Sequence, residues 1–112
     1  RYKNYDGRVA VMSLDPRLEE LIANSLLQTE QGVQLVMDPR LAHGMIEGIA
    51  QTIESHPEIA GQPILLTSPT ARRHLFKLTH RFIPQLVVLS HNELTSDAQI
   101  APVGTVEIAN AG

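Results

Sequence analysis

Short apolar runs alternating with amphipathic stretches predict an α/β fold: a small three-layer domain in the order β-α-α-β-α-β-β, with a parallel βαβ unit at its centre. Three observations point there. The runs "RVAVMSL", "ILLT" and "QLVVLS" are largely apolar on both alternating faces, as strands covered on two sides must be. The stretches between them repeat apolar residues at three- and four-residue spacing. Each of those stretches also opens on an acceptor side chain followed by proline, at Asp15-Pro16, Asp38-Pro39 and Ser68-Pro69. An N-cap acceptor takes up an orphan backbone N–H, and proline at the first helical position has no N–H to leave unpaired.

The first strand is expected over Arg8–Leu14, where Val9, Val11 and Ser13 alternate with Ala10, Met12 and Leu14. The helix after Asp15 uses Leu18, Leu21, Ile22, Ser25 and Leu26 as its apolar face, and Glu19 and Glu20 suit its positive end. "QTEQG" is expected to end it, and Val33–Met37 reads as a short extended piece. The second helix, from Asp38, buries Leu41, Met45, Ile46, Ile49 and Ile53. "DPRL" occurs at both helix starts, but the residues after it diverge, "EELIANSLL" against "AHGMIEGIA". The repeat is one helix-starting device used twice, and not a duplicated unit.

"HPEIAGQP" is a loop by its proline and glycine content. The third helix follows Ser68, with Ala71, Leu75, Leu78 and Phe82 on its apolar face, and Pro84 stops it. "HNELTSDAQ" is a polar turn region. A last strand over Ile100–Ile108, interrupted by Pro102 and Gly104, belongs at a sheet edge because proline cannot donate to a ladder. The crossover from "ILLT" to "QLVVLS" should be right-handed and parallel, and helices are expected on both faces of the sheet.

With 112 residues, 43% of them hydrophobic, the chain suits one domain over residues 8–112 behind a polar extension or linker, 1–7. A chain of this size buries about two thirds of the surface it exposes when unfolded. Cysteine and tryptophan are absent, which excludes disulfide and thiol chemistry and fits a reducing compartment. No apolar run approaches the roughly 18 to 20 residues that cross a bilayer. The polar start "RYKNYDGR", without an initiating methionine, reads as part of a larger protein.

The net charge of −3 is unevenly spread. Asp15 to Glu58 carries eight acids against Arg17 and Arg40, whereas Ala71 to Phe82 carries Arg72, Arg73, Lys77 and Arg81 and no acid. Arg73, Lys77 and Arg81 fall at i, i+4 and i+8, a cationic stripe opposite the apolar face. Bases would need aromatic platforms that this helix lacks, Phe76 excepted, and an acidic domain repels nucleic acid. A protein partner with acidic residues, or plain solvent, is the better match. Gly44 and Gly48, at i and i+4, leave a notch on the second helix at a cost of about 1 kcal/mol each relative to alanine. That cost points to close packing against another element, in this chain or a neighbouring one.

Catalytic chemistry finds little support. His43 and Glu47 share a helix face, but zinc needs three or four converging ligands. Asp15 and Asp38 are already committed to capping. A Gly-rich phosphate loop, GxxxxGK[ST] and GxSxG are all missing. The remaining alternative is a small phosphate-binding or hydrolytic domain using Ser68, Ser90 and His91, with Thr67 and Asn92 beside them, at the carboxyl ends of strands.

From Pro63 onward, "PILLTSPTARRHLFKLTHRFIPQLVVLSHNEL" resembles the C-terminal part of the type III export-gate family, the FlhA-like proteins of flagella and their injectisome relatives. The matching features are a strand ending in Ser-Pro, an arginine-rich amphipathic helix, the strand signature Pro84, Leu86, Val88, Leu89, Ser90, Glu93, Leu94, and the tail "IAPVGTVEI". Upstream, "VAVMSLDPRLEELI" and "VMDPRLAHGMI" resemble the strand and two helix starts that open the same region, so the likeness covers nearly the whole chain. The resemblance implies the last subdomain in the cytoplasmic region of a multi-pass inner-membrane protein, which touches the membrane only through its N-terminal part. It further implies a nonameric ring that meets sibling subdomains, export chaperones, substrates and an associated ATPase complex, with no catalysis and no cofactor. The family's main chaperone-docking groove lies in preceding subdomains, so none of its residues transfers here. Arg72, Arg73, Lys77, Arg81, Gly44 and Gly48 are the expected protein-contact positions.

Overall fold

The computed structural model describes residues 8–93 and 99–107; the expected extension 1–7 lies outside them. Strand β1 (Arg8–Leu14) leads into helix α1 (Pro16–Asn24), a hairpin of β2 (Leu26–Thr29) and β3 (Gly32–Leu35), and helix α2 (Pro39–Ser55). Then come β4 (Ile64–Thr67), α3 (Pro69–Thr79), β5 (Val87–Ser90) and β6 (Gln99–Val106). Short 3-10 turns lie at Pro57–Ile59 and His91–Glu93.

The helix starts are built as their sequences predict, with one exception. The Asp15 carboxylate accepts the Arg17 N–H at 3.2 Å, and Asp38 accepts the Arg40 N–H at 2.8 Å. Each helix has proline as its first residue. Ser68 occupies the same place before α3 but makes no side-chain bond to the helix; its hydroxyl lies 3.3 Å from that of Thr70.

Four parallel strands form the main sheet in the order β5-β4-β1-β6, and the predicted βαβ unit, β4-α3-β5, makes one side of it. β6 takes the expected edge. Its register against β1 shifts once, with Val11 opposite Pro102 and Met12 opposite Gly104, so Val103 is the extra residue of a bulge. A bulge at an edge is where a strand tolerates proline.

The helices do not straddle the sheet as expected. Met12, Leu14, Leu65, Val88 and Val106 share one core with Leu18 and Ile22 of α1, Met45, Ile49 and Ile53 of α2, and Ala71 and Leu75 of α3. The opposite face, Val11, Ile64 and Leu66 with Val87 and Leu89, carries no residue of a described helix. The strand order explains this. The two helix-bearing crossovers step the same way, from β1 to β4 to β5, and crossovers of one hand stepping one way lay their helices on one face.

Two further expectations are corrected. Helix α1 stops at Asn24, and Leu26, read as its apolar continuation, instead starts β2. The Ser25 hydroxyl donates to the Leu21 carbonyl at 2.7 Å at that end, and Gly32, at φ +101°, closes the hairpin turn in a conformation side chains rarely adopt. Phe82 lies past the end of α3 and is 63% exposed, while Ile83 takes the core position.

Candidate interaction surface

The hairpin and α3 face each other across an open cleft of about 540 Å³, lined by Gln31–Leu35 on one side and by Arg73, His74, Lys77 and Leu78 on the other. A second hollow of about 530 Å³, lined by Ala23, Leu26, Val33, Pro69, Thr70, Arg73 and His74, shares Val33, Arg73 and His74 with it. Together they make a groove along α3. Its strand wall is apolar at Val33, which is 44% exposed, and its helix wall is cationic. Desolvation, reinforced by the charges of Arg73 and Lys77, holds the His74 imidazole below its usual range. His74 is therefore neutral near pH 7, and the positive charge of the wall rests on Arg73 and Lys77.

The predicted cationic stripe is thus shorter than its spacing implied. Arg73 and Lys77 are exposed on α3, whereas Arg81 follows the end of the helix in an exposed turn, and Arg72 is half-buried. Beyond the stripe, both phenylalanines of the chain, Phe76 and Phe82, are exposed, and Phe76 stacks on His80 with ring centroids 5.2 Å apart. Exposed aromatic rings beside arginines are typical of residues that anchor protein contacts.

At Gly48 the notch is occupied from within the chain. Gly44 and Gly48 are both buried, and a Cβ on Gly48 would overlap the backbone carbonyl of Glu107, just past β6. Close approach of the end of β6 is what the second helix gains from that glycine. Gly104 plays the reciprocal part, since a Cβ there would lie 2.8 Å from both His56 Cε1 and Thr52 Cγ2.

The strand-end residues differ in exposure and in partners. Ser90 is buried, His91 is exposed, and the Ser68 hydroxyl turns to Thr70. Thr67, fully buried, donates a long hydrogen bond of 3.5 Å to Glu19 Oε1. Burial raises the Glu19 carboxyl above its usual range, against the opposing effects of His91 and the Thr67 hydroxyl. His43 and Glu47 form an exposed i, i+4 pair at 2.6 Å, and no group of three or more potential metal ligands occurs among the described residues. No helix among the described residues is long and apolar enough to cross a membrane.

This arrangement has close counterparts. The flagellar biosynthesis protein FlhA of Bacillus subtilis is 33% identical over 98 residues, which is 88% of this chain and 14% of that protein. The solved CdsV of Chlamydia pneumoniae superposes with a TM-score of 0.79 at 31% identity, covering 90% of this chain and 29% of that one; CdsV has also been solved in complex with CdsO. The nonameric EscV cytosolic domain of a type III secretion system superposes at 0.66 with 26% identity, over 90% of this chain and 30% of that one. The chain thus spans about a seventh of the curated relative and under a third of the solved domains. The FHIPEP family model matches residues 1–99, every described element except β6 beyond Gln99, and the chain belongs to the FHIPEP family.

Proposed function

We propose that the chain is a noncatalytic assembly and interaction subdomain of a type III export gate, flagellar or injectisome, on the cytoplasmic face of a bacterial inner membrane. In this reading it contributes to a nonameric ring whose subunits receive chaperones, substrates and components of the ATPase complex. The observation that carries the reading is the match of 90% of the chain to the solved domains of such gates, one of them solved as a nonamer. The solved CdsV–CdsO complex supports partner binding by domains of this kind. The exposed cationic residues Arg73, Lys77 and Arg81, with Phe76 and Phe82 near them in sequence, supply the contact surface. The phosphate-binding alternative is less well supported, because Ser90, one of its three named residues, is only 3% exposed.

The test is charge reversal in the full-length parent. Arg73→Glu, Lys77→Glu and Arg81→Glu together should reduce secretion several-fold, while the parent accumulates normally and the 112-residue chain keeps its circular dichroism and melting temperature. Secretion at the wild-type level would remove the cationic surface from the proposal.

A further inference from the structure

Among the described residues one edge of the hairpin is unpaired, and that edge faces the cationic wall. β3 pairs with β2 and with no other described strand. The Val36 N–H donates to the Ser25 carbonyl at 2.7 Å, which makes 25 and 36 a hydrogen-bonded antiparallel pair. Pairs alternate along such a ladder, so Leu27·Gln34 and Thr29·Gly32 are hydrogen-bonded as well. Val33 and Leu35 fall on the non-bonded pairs, and their N–H and C=O groups point away from β2. Neither residue has another hydrogen bond among the described residues. The cleft of about 540 Å³ is lined by all of β3 and by nothing from β2, so the outward groups of Val33 and Leu35 open into it.

The opposite wall decides what could fill the space. Of the residues lining the cleft, two are cations, Arg73 and Lys77, and none is an acid. Helix α3 runs about 13 Å from Pro69 to Leu78 at 1.5 Å per residue, which matches four to five residues of extended strand at about 3.3 Å each. Natural edges are usually blunted by inward charges or proline. β3, with the sequence Gly32-Val33-Gln34-Leu35, carries neither.

We propose that the open edge of β3 and the cationic face of α3 form a docking site for an extended acidic peptide segment, which adds to the hairpin as a third strand. Main-chain bonds to Val33 and Leu35 would hold the segment, and alternate acidic side chains turned toward α3 would meet Arg73 and Lys77. The site does not depend on the secretion reading, and binding is measurable on the 112-residue chain alone.

The experiment is a titration with three synthetic seven-residue peptides, followed by NMR and amide hydrogen exchange. One peptide alternates valine with glutamate, the second valine with glutamine, and the third is the first with a central proline. The glutamate peptide should bind, with the largest shifts at Val33, Leu35, Arg73 and Lys77 and slower exchange at the Val33 and Leu35 amides. The other two should bind at least about tenfold more weakly, as should the glutamate peptide to Arg73→Glu/Lys77→Glu or at high salt. Val33→Pro removes an outward N–H that β2 does not use, so the hairpin should persist while peptide binding is lost. Lys77→Glu alone, on the opposite wall and outside the hairpin, gives the same reading should the proline variant lose its structure. Unchanged binding in the variants, shifts centred on Phe76 and Phe82, or self-association through the β3 edge with no peptide response would each overturn the proposal.

Discussion

Helices α2 and α3 both open on proline, and both drive one apolar face into the same core, with Met45, Ile49 and Ile53 on one and Ala71 and Leu75 on the other. Their remaining faces diverge. Beside its core face α2 is closed off by the chain itself, with Gly48 against the Glu107 carbonyl. Helix α3 instead leaves Arg73 and Lys77 open to a groove and Phe76 open to solvent. A glycine pair and a cationic stripe are both surface-looking signals in a helical pattern. Here Gly48 reports an internal contact, and Arg73 and Lys77 are open to solvent.

The contrast is broken most sharply at Gly48. Glycine to alanine inside a helix normally gains about 1 kcal/mol. Here the new methyl meets backbone, which cannot turn aside, so Gly48→Ala should destabilise the fold by about 1 to 3 kcal/mol in urea unfolding. A stabilised variant would mean that the end of β6 does not pack there. The helix starts give the next effect. Asp38→Ala should cost about 1 kcal/mol because a 2.8 Å capping bond is lost, whereas Ser68→Ala, which loses no such bond, should cost clearly less. Equal costs in thermal melts would contradict the difference between the two caps.

The smallest effect concerns His74. Its folded imidazole binds a proton less readily than the unfolded one, so stability should fall as pH drops below 6.5, until the folded group also protonates. Arg73→Ala should raise the His74 titration midpoint, followed by NMR, but not restore it fully, because desolvation is the larger cause. A midpoint that ignores Arg73 would place the two side chains too far apart to share the groove.

Much of the fold was legible because its signals were local. "DPRL" marked two helix starts, apolar runs marked β1, β4 and β5, and Pro102 marked an edge strand. The hairpin was hidden because Ser25 and Leu26 continue the helical spacing of Leu18 and Ile22, and no Asn-Gly turn announces the reversal at Gly32. Phe82 misled for a similar reason: it keeps the helical period beyond the point where α3 has ended. At the candidate surface, Arg73 and Lys77 were readable from their i, i+4 spacing. The facing wall was partly readable, since Val33–Met37 reads as extended and supplies most of β3, but its partner β2 reads as the end of a helix, which conceals the hairpin. The arrangement of helices on one face followed from strand order, a long-range property that no window of residues contains.

The pairing of β1 with β6 also bears on how the protein is made. β1 emerges first, yet its partner positions lie about 50 residues later in β4 and about 90 later in β6. At synthesis rates of about 5 to 20 residues per second, the first strand waits roughly 5 to 20 seconds before both sides are covered. Throughout that interval a nascent chain carries the apolar strand Arg8–Leu14 with an unfilled edge, and Gly48 has nothing yet to pack against. Ribosome stalling or truncation ahead of Gln99 would therefore release not a shortened domain but an aggregation-prone one, a vulnerability set by how far β6 lies from β1 along the chain.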